Sequence, residues 1–190
     1  MFNMENMKEY SREAQSPSFQ VTCLSELDQA IQAGCPKHQI IYNSRDLSLE
    51  VVQMALDYGV GRIIVYGTAE LIMIEGVCRE RAQKINALLH ITNGSNGLIY
   101  ECCNNNDMTY NDQLPENTAL FPSLFRRTLC SQYVNLLGFH FHREPQLPTT
   151  EPNQEMEMGM VLVDLVFQLK QTYGYNTSEV HIGETHYKIA

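Results

Sequence analysis

The chemistry-bearing side chains of this sequence concentrate near its C-terminal end. The strand-like run Leu136-Leu137-Gly138-Phe139-His140-Phe141-His142 carries two histidines two residues apart. On a strand, both rings would project from one face. A second short apolar run, Val180-His181-Ile182, leads into Gly183-Glu184-Thr185-His186. Were the two runs neighbours, four imidazoles and the Glu184 carboxylate would make a nitrogen and oxygen ligand set that suits zinc. His-x-His is a short pattern, however, and a hydrogen-bonded histidine lining a cavity is the simpler account of His142, so no metal is assigned. Cys102-Cys103 stands in an Asn-rich stretch. Adjacent cysteines seldom bridge each other, and an exposed loop accounts for them. No Ser-His-Asp signature, nucleotide-binding glycine loop or paired-carboxylate arrangement is present, and no catalytic residue is assigned.

The elements that must position these residues are legible from period and punctuation. Residues 24–33 place Leu27, Ala30 and Ile31 on one helical face and are followed by Gly34. Residues 47–58 place Val51, Val52, Ala55 and Leu56 on one face and are followed by Gly59. Residues 158–173 repeat apolar side chains at helical spacing and end at Gly174. Such a stripe predicts a helix buried on one side, and a glycine just past the last turn supplies the positive φ of a helix stop. Weaker helices are predicted over 68–82 and 123–131. The Met156, Met158 and Met160 cluster is read as core filling at the entry to the last helix.

Between the helices lie β-rich runs at 19–23, 40–43, 62–66, 87–92, 136–142 and 179–182. They are apolar in blocks more than alternating, which suits strands covered on both faces of a parallel sheet. The first four start at the spacing of one strand plus one crossover helix. The class is therefore α/β, and handedness favours either a singly wound barrel or a doubly wound sheet. Two polar, turn-rich segments, 93–122 and 143–153, read as long loops at the ends of strands.

Composition narrows the partners. The net charge of −9 excludes nonspecific nucleic-acid binding, because no Lys/Arg stripe exists to neutralise phosphates. No apolar run reaches the roughly 20 residues needed to cross a bilayer. The polar segment 1–18 does not read as a signal peptide. Six cysteines without a CxxC pair then predict reduced thiols and a cytoplasmic protein.

These runs, taken in order, resemble the barrel of the fold-type III pyridoxal-phosphate decarboxylases, the ornithine, diaminopimelate and arginine decarboxylase family. Phe19-Gln20-Val21-Thr22-Cys23-Leu24-Ser25-Glu26-Leu27 with Ala33-Gly34 resembles the second strand and helix. Ile40-Ile41-Tyr42-Asn43 resembles the third strand. Asp57-Tyr58-Gly59-Val60-Gly61-Arg62-Ile63-Ile64-Val65 with Glu70-Leu71 resembles the following helix-turn-strand, and Ala87-Leu88-Leu89-His90-Ile91 the fifth strand. Gly138-Phe139-His140-Phe141-His142 resembles the Gly-x-x-x-His strand, and Glu179-Val180-His181-Ile182-Gly183 the strand leading to a phosphate loop.

The resemblance implies an incomplete parallel (β/α) TIM-like barrel of the alanine-racemase type over residues 19–190. It would span roughly the second to seventh strands and lack the C-terminal β domain. Pyridoxal 5'-phosphate is the implied cofactor, with His142 stacked on its ring and Gly183 opening its phosphate loop.

Departures from the family fall on its chemistry. The Schiff-base lysine has no counterpart: counting back by the family spacing reaches Met1, and Lys8 lies in a polar stretch. Gly183 is followed by Glu184, whose carboxylate would repel a phosphate, and Arg143-Glu144-Pro145 stands where the family has Gly-Ser. Gln20 replaces an aspartate and His90 an arginine. Three readings follow: a degenerate relative without independent catalysis, a binding protein analogous to the antizyme inhibitors, or a decarboxylase part completed by N- and C-terminal pieces. The open edges of an incomplete sheet predict a homo- or hetero-oligomeric partner.

Overall fold

The structure, a computed structural model, describes residues 18–94, 97–99, 120–141, 153–182 and 185–188. Strands β1 (Phe19–Val21), β2 (Ile40–Tyr42), β3 (Arg62–Val65), β4 (Ile85–Gly94), β6 (Val134–Phe141) and β7 (Glu179–Ile182) pair side by side, all parallel. The helices between them are α1 (Leu24–Gln32), α2 (Leu49–Tyr58), α3 (Thr68–Glu80), α4 (Leu120–Leu129) and α5 (Asn153–Tyr173). The fold is thus the parallel α/β arrangement that the alternating runs predict.

Alternation along each strand divides the sheet into two faces. One face holds Val21, Ile40, Tyr42, Ile63, Val65, Ala87, Leu89, Phe139, Phe141 and Val180, buried with the apolar stripes of the helices. On α5, Leu162, Leu165 and Leu169 are buried at i, i+3 and i+7. The opposite face carries a smaller apolar layer of Ile41, Ile64, Tyr66 and Leu88. The three glycine stops are as expected: Gly34, Gly59 and Gly174 have φ of 78°, 71° and 65°. Ser48 caps α2 by accepting a hydrogen bond from the Val51 amide at 3.3 Å.

Three features depart from the sequence expectations. The 93–122 segment is not wholly loop. β4 continues to Gly94 and folds back antiparallel onto β5 (Gly97–Ile99), and α4 begins at Leu120 with Pro122 in its first turn, where a missing N–H costs nothing. The last helix begins at Asn153, five residues before its predicted start, because the apolar stripe that marks a helix in sequence starts later than the helix itself. Third, β8 (Thr185–Lys188) pairs antiparallel with β7. The edge on that side is therefore β8 and not β7, since only residues 183 and 184 separate the two strands and a connection that short returns the chain antiparallel. At the other edge, β1 pairs with β2 alone among the described residues.

Candidate functional site

In parallel α/β proteins the C-terminal ends of the strands gather the chemistry. At this end the concave face carries Gln20 on β1, Asn43 after β2, Tyr66 after β3, His90 on β4, His140 on β6 and His181 on β7. His90 pairs with His140 and His140 with His181 in strand register. The three histidines are buried, His140 and His181 to 1% exposure.

Their polar atoms connect across the face. The Tyr66 hydroxyl donates to Asn43 Oδ1, and Asn43 Nδ2 donates to Gln20 Oε1 at 3.3 Å. Gln20 Nε2 meets His140 Nε2 at 3.4 Å, and His140 Nδ1 meets His90 Nδ1 at 3.1 Å. The amide nitrogen of Gln20 only donates, so His140 accepts there and carries its proton on Nδ1, from which it donates to His90. The rings are also layered, with Tyr66 and His90 centroids 4.3 Å apart and the His90 and His140 rings stacked at 5.3 Å. The Arg45 guanidinium lies over the Tyr66 ring, 5.6 Å from its centroid.

The curvature follows from these contacts. Four strand spacings separate β1 from β6, about 19 Å in a flat sheet, beyond the combined reach of a glutamine and a histidine. Their contact means the sheet is curled as a part-barrel, with β1 facing β6 across the interior. One layer toward the strands' N-terminal ends, the Arg62 guanidinium grips both carboxylate oxygens of Glu179, joining β3 to β7. Glu179 also meets His181 Nε2 at 3.2 Å, and Arg62 Nη1 donates to the His38 carbonyl at 2.8 Å.

Glu70 stands in the first turn of α3, where it accepts the Tyr66 amide hydrogen bond. Burial pushes its carboxyl up to about 7, against the lowering effects of the Tyr66 and Gly67 amides and of Arg45.

Of the sequence-assigned positions, His142 and Gly183 lie outside the described residues, as do Lys8, Cys102, Cys103, Glu144, Pro145 and Glu184. Of the ligand set considered for zinc, His140 and His181 are neighbours, and the β8 backbone places His186 in register with His181. Among the described residues no group of three His, Cys, Asp or Glu side chains could hold a metal. Sequence reading missed Asn43, Tyr66 and the Arg62–Glu179 pair. Their signal was the polar residue at every second position on the concave face.

Pyridoxal phosphate needs an amine and a phosphate cradle at this end. The described lysines stand elsewhere: Lys37 and Lys84 precede β2 and β4, Lys170 is in the last turn of α5, and Lys188 pairs with Glu179 at the N-terminal end of β7. Where the family resemblance implies an aspartate and an arginine, Gln20 and His90 are joined through His140. Among the described residues no lysine stands at this end of the strands, and His142 and Gly183, which the resemblance gives to the ring and the phosphate, lie outside them. Two hollows of about 470 and 240 Å³ lie at the opposite end of the strands, both bordered by Lys84 and Asn86.

No protein-family model matches the sequence. Curated relatives do: the diaminopimelate decarboxylase of Bacillus subtilis is 27% identical over 135 residues, covering 71% of this chain and 31% of that protein. The Bacillus methanolicus diaminopimelate decarboxylase is 29% identical over 137 residues, again spanning 31% of its length. Among solved structures, the M. jannaschii diaminopimelate decarboxylase in complex with L-lysine aligns with a TM-score of 0.68 at 20% identity, over 86% of this chain and 37% of that one. An alanine racemase from Clostridium difficile aligns with a TM-score of 0.58 at 14% identity, over 94% and 41%. The chain thus spans about a third of the length of the curated relatives it matches. In sequence this chain is related to about a third of the length of the diaminopimelate decarboxylases, and its curled parallel α/β sheet has the barrel fold shared by the decarboxylase and alanine racemase structures.

Proposed function

We propose that this chain is a degenerate relative of the amino-acid decarboxylases that does not itself decarboxylate an amino acid. The observation that carries the reading is the hydrogen-bonded chain Tyr66–Asn43–Gln20–His140–His90. It fills the strand ends with side chains that engage one another, and every described lysine stands elsewhere. A nucleophilic lysine works by meeting the cofactor aldehyde as a desolvated amine, and nothing in this chain of contacts supplies one. Glu184 and Pro145, at the positions where the family resemblance implies phosphate contacts, support the same reading.

The test is direct. Purified protein is mixed with pyridoxal phosphate, followed by absorbance near the visible edge, trapped with borohydride, and assayed for carbon dioxide release from diaminopimelate, ornithine and lysine. We expect no reducible adduct and no release. A stoichiometric adduct together with turnover overturns the proposal.

A binding role is the second reading, favoured by the β1 edge, which has one strand partner among the described residues. Parallel edge strands expose a row of backbone donors and acceptors that a second chain covers readily. On this reading a protein partner or second copy adds at β1, and light scattering of the purified protein would show a species larger than 21.7 kDa. The β8 strand, already paired to β7, weighs against completion of the barrel from that side. A cytoplasmic location is supported by the free thiols of Cys23, Cys35, Cys78 and Cys130. No helix among the described residues is long and apolar enough to cross a membrane.

A further inference from the structure

We propose that the larger hollow at the N-terminal end of the strands binds a small organic acid, one carboxylate on a short apolar body. Its volume of about 470 Å³ falls within the roughly 300–1,000 Å³ of small-molecule sites. Lys84 precedes β4 and Asn86 lies on it, Ser131 follows α4, and Asn135 stands second on β6. Strand starts and helix ends thus build one wall.

The polar part of that wall is fixed by bonds to its own surroundings. Asn135 Nδ2 donates to Asn86 Oδ1 at 2.9 Å, and Asn86 Nδ2 donates to the Gly61 carbonyl at 3.1 Å. Each carboxamide NH2 has a second N–H beyond the bond just named. Ser131 Oγ accepts from the Tyr133 and Val134 amides at 3.3 and 3.2 Å. A hydroxyl that accepts twice still has its own proton to donate. Lys84 adds the charge. Among the described residues no ion pair engages its ammonium, and no acidic side chain lines the hollow. Held donors beside a cation without a counter-charge suit a carboxylate.

The apolar part is Leu129, Leu136 and Tyr175. Tyr175 is buried, and its hydroxyl is spent on the Leu136 carbonyl at 3.0 Å, so the ring offers only apolar surface. Leu129 ends α4 with 39% of its surface exposed, and a hydrocarbon body placed against it removes apolar area from water. The same wall disfavours an amine or an amino acid, whose ammonium would meet Lys84 with no lining carboxylate to offset it. The inference stands whether or not the chain decarboxylates a substrate, because the histidine-bearing concave site lies at the other end of the strands.

The probes are hexanoate, hexylamine and acetate, titrated separately at pH 7 into the nitrogen-15-labelled full chain. The side-chain amide resonances of Asn86 and Asn135 are the readout. Hexanoate should shift both saturably, and hexylamine should shift neither. Acetate keeps the carboxylate but lacks the body, and should bind at least about tenfold more weakly, the effect of burying two methylenes. Lys84 is exposed, so Lys84→Met should fold, and it should weaken hexanoate binding about fivefold, as for one partly exposed ion pair. Arg45→Met removes the same charge at the opposite end of the strands and should leave the affinity unchanged. The proposal is overturned by the absence of a saturable hexanoate shift, by an equal response to hexylamine, by acetate binding as well as hexanoate, or by equal weakening in Arg45→Met.

Discussion

Arg62 and Glu179 are three strand spacings apart along the sheet, yet the guanidinium of one holds both carboxylate oxygens of the other. The pair is a cross-strut: it fixes how far β7 swings toward β3 and so sets the curl on which every concave contact depends. Both side chains are largely buried, at 13% and 8% exposure, so each charge relies on the other.

Removing one partner alone should therefore be far worse than removing both. Arg62→Met takes the guanidinium away from the buried Glu179 carboxylate, and should cost about 3–5 kcal/mol. The double variant Arg62→Met/Glu179→Met should recover most of that loss, because a buried pair replaced by apolar groups of similar size is close to neutral. Urea denaturation of the wild type, both single variants and the double variant measures the coupling. Additive losses would show that the two residues do not act as a pair.

Two glycines should respond in opposite senses to the same substitution. A Cβ on Gly138 would lie 1.8 Å from the Glu179 carbonyl oxygen, and the obstacle is backbone, so Gly138→Ala must push β7 away from β6. A loss of about 3 kcal/mol or more is expected, in the range of overpacked core positions. Gly76, inside α3, has nothing within 4 Å of its Cβ position. Gly76→Ala should stabilise by roughly 0.5–1 kcal/mol, the helical penalty of glycine. Thermal melts of the two variants check both signs.

Ser48→Ala tests the local signal that starts α2. Its hydroxyl accepts from the Val51 amide, and its loss leaves an orphan donor at the helix start. The expected cost is about 1 kcal/mol. Denaturant midpoints of Ser48→Ala and Ser48→Asp should differ, with aspartate holding close to the wild type.

What the sequence disclosed about the fold was what depends on local pattern. The stripe of 162, 165 and 169 and the glycine at 174 foretell α5 and its end, and the block-apolar runs foretell parallel strands with two covered faces. Those cues failed where pairing is decided between segments. Nothing in Gly97-Leu98-Ile99 marks it as a strand except the extended β4 beside it. Thr185-His186-Tyr187-Lys188 was not among the predicted strands and is one through its antiparallel pairing with β7. The site was legible only at its histidines. His90 and His140 stand out by residue type, whereas Asn43 and Gln20 acquire a role through the curl that carries β1 to within reach of β6. Sheet curvature is a property of the whole set of strands, and no single run of residues announces it.

Burial of Glu70 gives the fold a pH signature of its own. Its carboxyl is raised by burial from 4.5 to about 7 in the folded chain. Between those two values the folded state holds a proton that the unfolded state has released, so stability falls as pH rises through this window. Its stabilising effect is fully present below about 4.5 and gone above about 7. Glu70→Gln keeps an oxygen to accept the Tyr66 amide but has no charge to desolvate. At pH 8 the variant should be more stable than the wild type by about 1–2 kcal/mol, allowing for the solvent that still reaches the carboxyl. At pH 5 the two should converge. Urea titrations at the two values decide it: an equal difference at both would mean that the substitution acts through packing, and a less stable variant at pH 8 would mean that the ionised carboxylate is favourably held by the Tyr66 and Gly67 amides and Arg45.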